Sequence, residues 1–170
     1  LDIDLSSQGF DLRSSEKNLQ LYHQLSGRAG RSGNPANVYF QTYNLKNNII
    51  NQLISEDPLD FLEKELNLRK KNSLPPYERF ISLILTSNNE KKLEIESLKL
   101  KKNLTNKINA KILGPVNAPI FRIRKKFRNR LLIRSNKNKK IQRNLSNALK
   151  NYKFPSGIKL TVDVDPITFN

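Results

Sequence analysis

Along the chain the apolar positions change their repeat from three or four residues to two and back, and these changes divide it into elements. Leu19, Tyr22 and Leu25 recur at helical spacing, predicting a helix over 15–24 and just beyond. Ser14 and Ser15 are candidate caps, and Glu16 sits in the first turn, where a carboxylate meets the positive end of the helix. A glycine-broken basic loop follows, Gly27-Arg28-Ala29-Gly30-Arg31-Ser32-Gly33, and then a short strand over 37–42. A helix is expected over 47–55. Another starts at Asp57-Pro58, since Asp caps and Pro has no N–H to leave unsatisfied at the first helical position. Leu59, Leu62 and Leu66, flanked by Phe61, Glu65 and Leu68, give this helix an apolar stripe. Leu74-Pro75-Pro76 ends it, because Pro-Pro cannot continue a helix.

Beyond Pro76 the pattern alternates between the two periods. Residues 80–86 read as a buried strand, and 89–108 as a long helix carrying Leu93, Leu100 and Leu104 among lysines. A brief strand over 111–113 is stopped by Gly114-Pro115. Strands over 120–124 and 128–134 form a hairpin joined at Lys125-Lys126. A helix over 137–149 and a strand over 158–164 close the chain. A four-stranded sheet with two helices on one face satisfies that order, as in a split βαβ sandwich, so the expected class is α/β of the α+β kind. About 90 residues suffice for such a core.

Charge changes the picture. Residues 1–57 carry 5 basic and 6 acidic side chains, whereas residues 58–170 carry 26 and 9. No acid stands between Glu96 and Asp163. The whole chain reaches a formal +16 with a pI near 10.2. Such a field attracts polyanions, and nucleic acid is the commonest of them inside a cell. With 0 Cys there are no disulfides or cysteine–zinc sites in these residues. No apolar run approaches a bilayer span, and no signal peptide is legible. A start at Leu1 with 0 Met is what a piece of a longer chain would show.

The hairpin concentrates the cations. Strand alternation puts Phe121, Ile123, Phe127, Leu131 and Ile133 on one face, and Arg122, Arg124, Arg128, Arg130 and Arg134 on the other. Lys125 and Lys126 lie at the tip. These seven cations are the candidate nucleic-acid contacts, because guanidinium forks grip phosphates bidentately. Asp163 and Asp165 on the last strand are the acids expected to pair with some of them, in preference to binding a cation. Phe127 and Tyr152 are the nearby stacking candidates, so contact with the backbone should outweigh base reading. Tyr39 and Tyr43 are expected to pack. His23, without Cys or acid at ligand spacing, is expected to serve only the helix surface or its packing.

A second constellation is Gln24-Leu25-Ser26-Gly27-Arg28-Ala29-Gly30-Arg31. Two arginines three apart in a glycine-loosened loop can enter one cleft. The run resembles the sixth motif of superfamily 2 helicases, Q-x-x-G-R-x-G-R. Asp4-Leu5, Asp11-Leu12-Arg13 with Glu16, Val38-Tyr39-Phe40-Gln41-Thr42, Leu74-Pro75-Pro76, Leu113-Gly114-Pro115-Val116 and Asp163-Val164-Asp165-Pro166 follow in the order of landmarks in one branch. By them the chain resembles the C-terminal end of the primosomal protein N′ (PriA) family of replication-restart DNA helicases. Leu25-Ser26 replaces that family's small apolar pair and leaves both arginines in place.

The resemblance implies an ATP-driven 3′→5′ helicase that recognises stalled or branched forks and starts primosome assembly in the bacterial cytoplasm, at the nucleoid. By it, residues 1–45 finish the second RecA-like lobe, 46–75 form a helical linker, and 76–170 form a C-terminal domain like a small ribosomal protein. Gln24, Arg28 and Arg31 would face ATP, with Arg31 as arginine finger and Arg28 beside it. The acidic tail of the single-stranded-DNA-binding protein would suit Lys137, Lys139, Lys140 and Arg143. ATP with Mg²⁺, and zinc, would belong to the parent protein. The phosphate loop and zinc cysteines are not in these residues, so the segment alone is expected to bind no zinc or other metal and to hydrolyse no ATP. The competing expectation is a non-catalytic nucleic-acid-binding protein with a ribosomal-like domain, in which the arginine loop is merely basic.

Overall fold

The computed structural model describes residues 11–29, 37–46, 48–55, 58–137 and 139–168. They fall into two compact units, Leu1–Leu68 and Arg69–Asn170.

In the first unit, helix α1 (Ser14–Ser26) buries Leu19 and Tyr22. They meet Ile49 of α2 (Asn48–Ser55) and Phe61 of α3 (Pro58–Lys71), with Phe40 set edge-on to Tyr22 at 5.4 Å between centroids. Neither Ser14 nor Ser15 caps α1: Arg13 holds the cap position without a side-chain cap bond. The start is tied down by charge instead. The Asp11 carboxylate accepts from the Arg13 backbone N–H at 2.8 Å and from the Lys17 ammonium, and Arg13 Nε donates to Glu16 at 3.0 Å. The Lys17 hydrogen bond is the main reason that the Asp11 carboxyl titrates below its ordinary value. Residues 37–42, expected as a strand, hold only an isolated bridge at Gln41. On α3 the leucine stripe is largely uncovered, for Phe61 is buried while Leu59, Leu62, Leu66 and Leu68 are exposed.

Helix α3 ends before the prolines. The Leu74 N–H donates to Arg69 O at 2.8 Å and the Ser73 N–H to Lys70 O at 3.1 Å, with Ser73 at φ 53°. This is a Schellman stop with serine where glycine is usual. The Asp57 cap lies outside the described residues.

The second unit is an α+β domain: β1 (Glu78–Ser87), α4 (Glu90–Thr105), β2 (Lys111–Ile123), β3 (Lys126–Asn136), α5 (Lys139–Lys150) and β4 (Lys159–Val164). The sheet order is β2-β3-β1-β4, every neighbouring pair antiparallel. Strand β3 thus enters between β1 and β2, the arrangement of a split βαβ unit. Alternation decides the core. Ile81, Leu83 and Leu85 of β1 and Leu131 and Ile133 of β3 face Leu93, Leu100 and Leu104 of α4, all fully buried. Ile141, Leu145 and Ala148 of α5, one helical face, pack against the same cluster. Asn89 caps α4 by accepting the Lys92 N–H at 2.9 Å.

Strand β2 differs from expectation. It does not stop at Gly114-Pro115 but continues to Ile123 as an edge strand containing two prolines, where missing amide donors cost no ladder bonds. Its pairing with β3 shifts twice, between Leu113 and Val116 and between Asn117 and Arg122. Gly114 permits the first shift: it sits at φ +91°, and a Cβ there would lie 2.6 Å from the Arg130 carbonyl oxygen. We expect Gly114→Ala to destabilise the chain by at least ~1–3 kcal/mol, from the left-handed backbone alone; urea unfolding checks it, and an unchanged midpoint would contradict the crowding.

One polar tie is buried under α4. The Tyr152 hydroxyl donates to Glu96 Oε1 at 2.6 Å, and Glu96 is 5 % exposed. Burial first, then the carboxylate, pushes the Tyr152 phenol well above its ordinary 10. A phenol that holds its proton more tightly when folded stabilises fully below its unfolded pKa of about 10, and that stability is lost as pH rises past it. Tyr152→Phe should therefore lower stability at neutral pH by about 1–3 kcal/mol, because Glu96 loses its donor. The difference from the parent chain should shrink above about pH 10, where the parent loses the tyrosine's contribution; denaturation midpoints at pH 7 to 11 would show it.

Candidate nucleic-acid interface and arginine motif

The second register shift sets the geometry of the basic hairpin. Between the pairs Asn117↔Asn129 and Arg122↔Phe127, β2 runs through four residues while β3 crosses with Arg128 alone. The two pairings differ by an odd number of residues, so side-chain parity changes between them. Arg122 consequently falls opposite Phe127, with its guanidinium carbon 5.0 Å from the ring centroid. The expected single face of five arginines is therefore divided. Arg128, Arg130 and Arg134 alternate along β3 on the side away from Leu131 and Ile133, Arg122 stacks on Phe127, and Arg124 lies in the turn.

Their surroundings differ too. Arg134 is committed to structure: it donates to Glu78 at 3.2 Å and to the Asn72 and Ser73 carbonyls at 3.2 and 3.0 Å, with its guanidinium 5.5 Å from the Phe80 ring centroid. Arg128 Nη1 donates to Ile120 O at 3.2 Å, bracing the bulge. Arg130 is partly buried, and desolvation lowers its pKa, though a guanidinium remains protonated. At the end of the sheet Arg122, Arg124, Lys125 and Lys126 are all exposed. Among the described residues, the side chains of Arg124, Lys125 and Lys126 make no ion pair or hydrogen bond.

Asp163 of β4 and Asp165 just after it do not neutralise this set. Asp165 pairs with Arg79, whose Nε donates at 3.1 Å, and Asp163 joins no ion pair among the described residues. The carboxylate that does meet a hairpin arginine is Glu78, on β1. Both stacking candidates are occupied. Phe127 lies 5.4 Å from Phe121 and under Arg122, while Tyr152 holds Glu96 and packs on Phe154 at 4.7 Å. Conversely Tyr39 and Tyr43, expected to pack, are 80 % and 89 % exposed. Lys137, Lys140 and Arg143 are exposed about the start of α5; the Lys139 side chain lies outside the described residues.

In the first unit, Gln24 and Arg28 are both exposed at the C-terminal end of α1. Neither side chain makes a hydrogen bond or ion pair among the described residues, so both are available to an anion. His23 is exposed on the same turn. Arg31 and Asp4-Leu5 lie outside the described residues. Sequence reasoning missed Asn129, buried with its Nδ2 3.4 Å from Ser97 Oγ. A polar residue at a core position of β3 was the signal available. No helix among the described residues is long and apolar enough to cross a membrane.

A sequence model described as the primosomal protein N C-terminal domain matches residues 70–167, nearly the whole second unit. The replication restart protein PriA of Rickettsia felis is 37 % identical over 169 residues, which cover 99 % of this chain and 26 % of that protein. Its counterpart in Thermotoga maritima is 32 % identical over 168 residues, covering 99 % and 22 %, and that of Bacillus subtilis 32 % over 162, covering 92 % and 20 %. The chain thus spans about a quarter or less of the length of these curated relatives. With the family's domain matched across more than half its residues, the chain belongs to the primosomal protein N C-terminal domain family.

Proposed function

We propose that the chain is the C-terminal part of an ATP-dependent 3′→5′ DNA helicase that recognises stalled or branched replication forks and initiates primosome assembly for replication restart. The observation that carries this reading is the match to replication restart proteins across both units, through the arginine motif as well as the basic hairpin.

In this reading residues 1–45 complete the second RecA-like lobe, 46–75 form a helical linker, and 76–170 are a DNA- and partner-binding domain like a small ribosomal protein. Gln24 and Arg28 suit phosphate contact, being exposed one turn apart with no competing partner among the described residues. Arg31 completes the set as arginine finger. Bound ATP with Mg²⁺ would supply the phosphoryl transfer, and this chain's share is charge stabilisation by its guanidinium groups. The phosphate loop and zinc cysteines belong to the parent, so the segment by itself turns over no ATP. The second unit takes DNA on its hairpin, in sequence-independent contact with the backbone. Lys137, Lys139, Lys140 and Arg143 would receive the acidic tail of the single-stranded-DNA-binding protein.

Two experiments test the halves separately. In the full-length parent, Arg31→Ala should lower ATP turnover by about 10³–10⁵ while leaving DNA affinity nearly intact; equal loss of both would sink the finger assignment. On the hairpin, Arg122→Gln with Lys126→Gln should reduce the log–log salt slope of DNA binding by about 0.7–0.9 for each phosphate no longer neutralised. An unchanged slope would mean that DNA binds elsewhere. Arg134→Gln is the contrast. It should lower stability by about 1–3 kcal/mol through removal of its ion pair and carbonyl bonds, and move the salt slope far less.

A further inference from the structure

The hairpin is closed by the pair Ile123↔Lys126, so its turn consists of Arg124 and Lys125 alone. Their φ angles are +49° and +65°. A two-residue connection with both central residues left-handed is a type I′ turn, for which Asn-Gly is strongly preferred. A side chain bearing a Cβ is disfavoured there. Only four non-glycine residues among those described adopt positive φ. Ser73 forms a helix stop and Asp165 binds Arg79, so each of those two is compensated locally. Arg124 and Lys125 are not: both are exposed, without an ion pair or side-chain hydrogen bond among the described residues. Suitable residues are not scarce in this chain, which has 22 Asn and uses glycine at φ +81° in the turn at Gly157.

We propose that this turn is a phosphate-binding tip, in which unfavourable turn residues hold a guanidinium and an ammonium charge on the backbone of double-stranded DNA. The proposal rests on the nucleic-acid reading of the hairpin and deepens it by naming the phosphates' partners and the form of the ligand. Duplex is favoured over single strand for a physical reason. Single-strand binding leans on aromatic faces open to bases, and the two rings near the tip, Phe121 and Phe127, pack on each other at a tilt of 52°, with Arg122 over Phe127. A two-stranded ribbon can enter the major groove of B-form DNA. There Arg124 and Lys125 lead, and Arg122 and Lys126 follow close behind on either strand.

The test uses the 170-residue chain with a duplex of about 30 base pairs, roughly three helical turns, and with oligo-dT of the same length. Arg124→Asn with Lys125→Gly restores the preferred turn and removes two charges; Arg124→Gln with Lys125→Gln removes the same charges and keeps the unfavourable turn. The first variant should melt about 4 °C or more above the parent, and the second close to it. Both should lose about tenfold or more in duplex affinity at ~0.1 M salt, with a log–log slope smaller by about 1.8. Loss on oligo-dT should be smaller. A duplex slope unchanged in both variants, while the Arg122 and Lys126 pair still lowers it, overturns the tip and leaves the hairpin reading standing. A slope unchanged in all variants overturns both. Equal or greater loss on oligo-dT overturns the duplex assignment. A melting point that does not rise with Asn-Gly overturns the claim that the native turn is costly.

Discussion

The second unit depends on the pairing of β1 with β3, two strands far apart in sequence that run together from Glu78↔Asn136 to Ser87↔Phe127. That register places Ile81 and Leu83 beside Ile133 and Leu131 on one side, and this side alone receives α4 and α5. A slip of one residue would turn every one of these side chains outward. Because burial fixes the register of the central pair so strongly, irregularity is pushed to the edge. Strand β2, with only β3 to satisfy, absorbs two shifts, two prolines and the left-handed Gly114.

Those shifts settle which cations can reach outward. Had the register of Asn117↔Asn129 run on to the turn, the arginines would have shared one face. The odd change of register brings Arg122 round to Phe127 instead and leaves Arg128 spanning the bulge. The few carboxylates then act at the opposite end of the sheet. Glu78 takes Arg134 and Asp165 takes Arg79, both near the start of β1. Among the described residues, the hairpin charge left without an ion pair or hydrogen bond is therefore concentrated at the turn, by subtraction of the arginines that the fold itself uses.

Much of this was legible in the sequence. The helices were found within a few residues because their apolar faces repeat: Leu93, Leu100 and Leu104 mark α4 as plainly as Ile141, Leu145 and Ala148 mark α5. The class of the second unit followed from the order of periods, and the basic hairpin from the absence of acids. Long-range properties were not legible. Alternation is a local rule, and a bulge that changes parity, as between Asn117 and Arg122, leaves no trace in hydrophobic pattern. Partners from distant strands, such as Glu78 for Arg134 and Glu96 for Tyr152, follow from register, which sequence alone leaves open. The stripe on α3 was visible as periodicity, but periodicity does not say whether anything covers it, and Leu59, Leu62, Leu66 and Leu68 are exposed.

Charge count and charge availability are consequently different quantities in this chain. The seven hairpin cations are equal in sequence, yet Arg134 loses much of its reach to two carbonyls, a carboxylate and a ring, and Arg130 to burial. Removing a committed arginine exposes the groups it satisfied, so its substitution would weaken binding through the fold and imitate the removal of a phosphate-gripping charge. Salt dependence separates the two, since counterion release registers only charges that meet phosphate. An ion-pairing arginine that never leaves Glu78 contributes to stability while adding little to that slope. The cations at left-handed backbone positions whose side chains make no ion pair or hydrogen bond among the described residues are the ones for which an external partner accounts best.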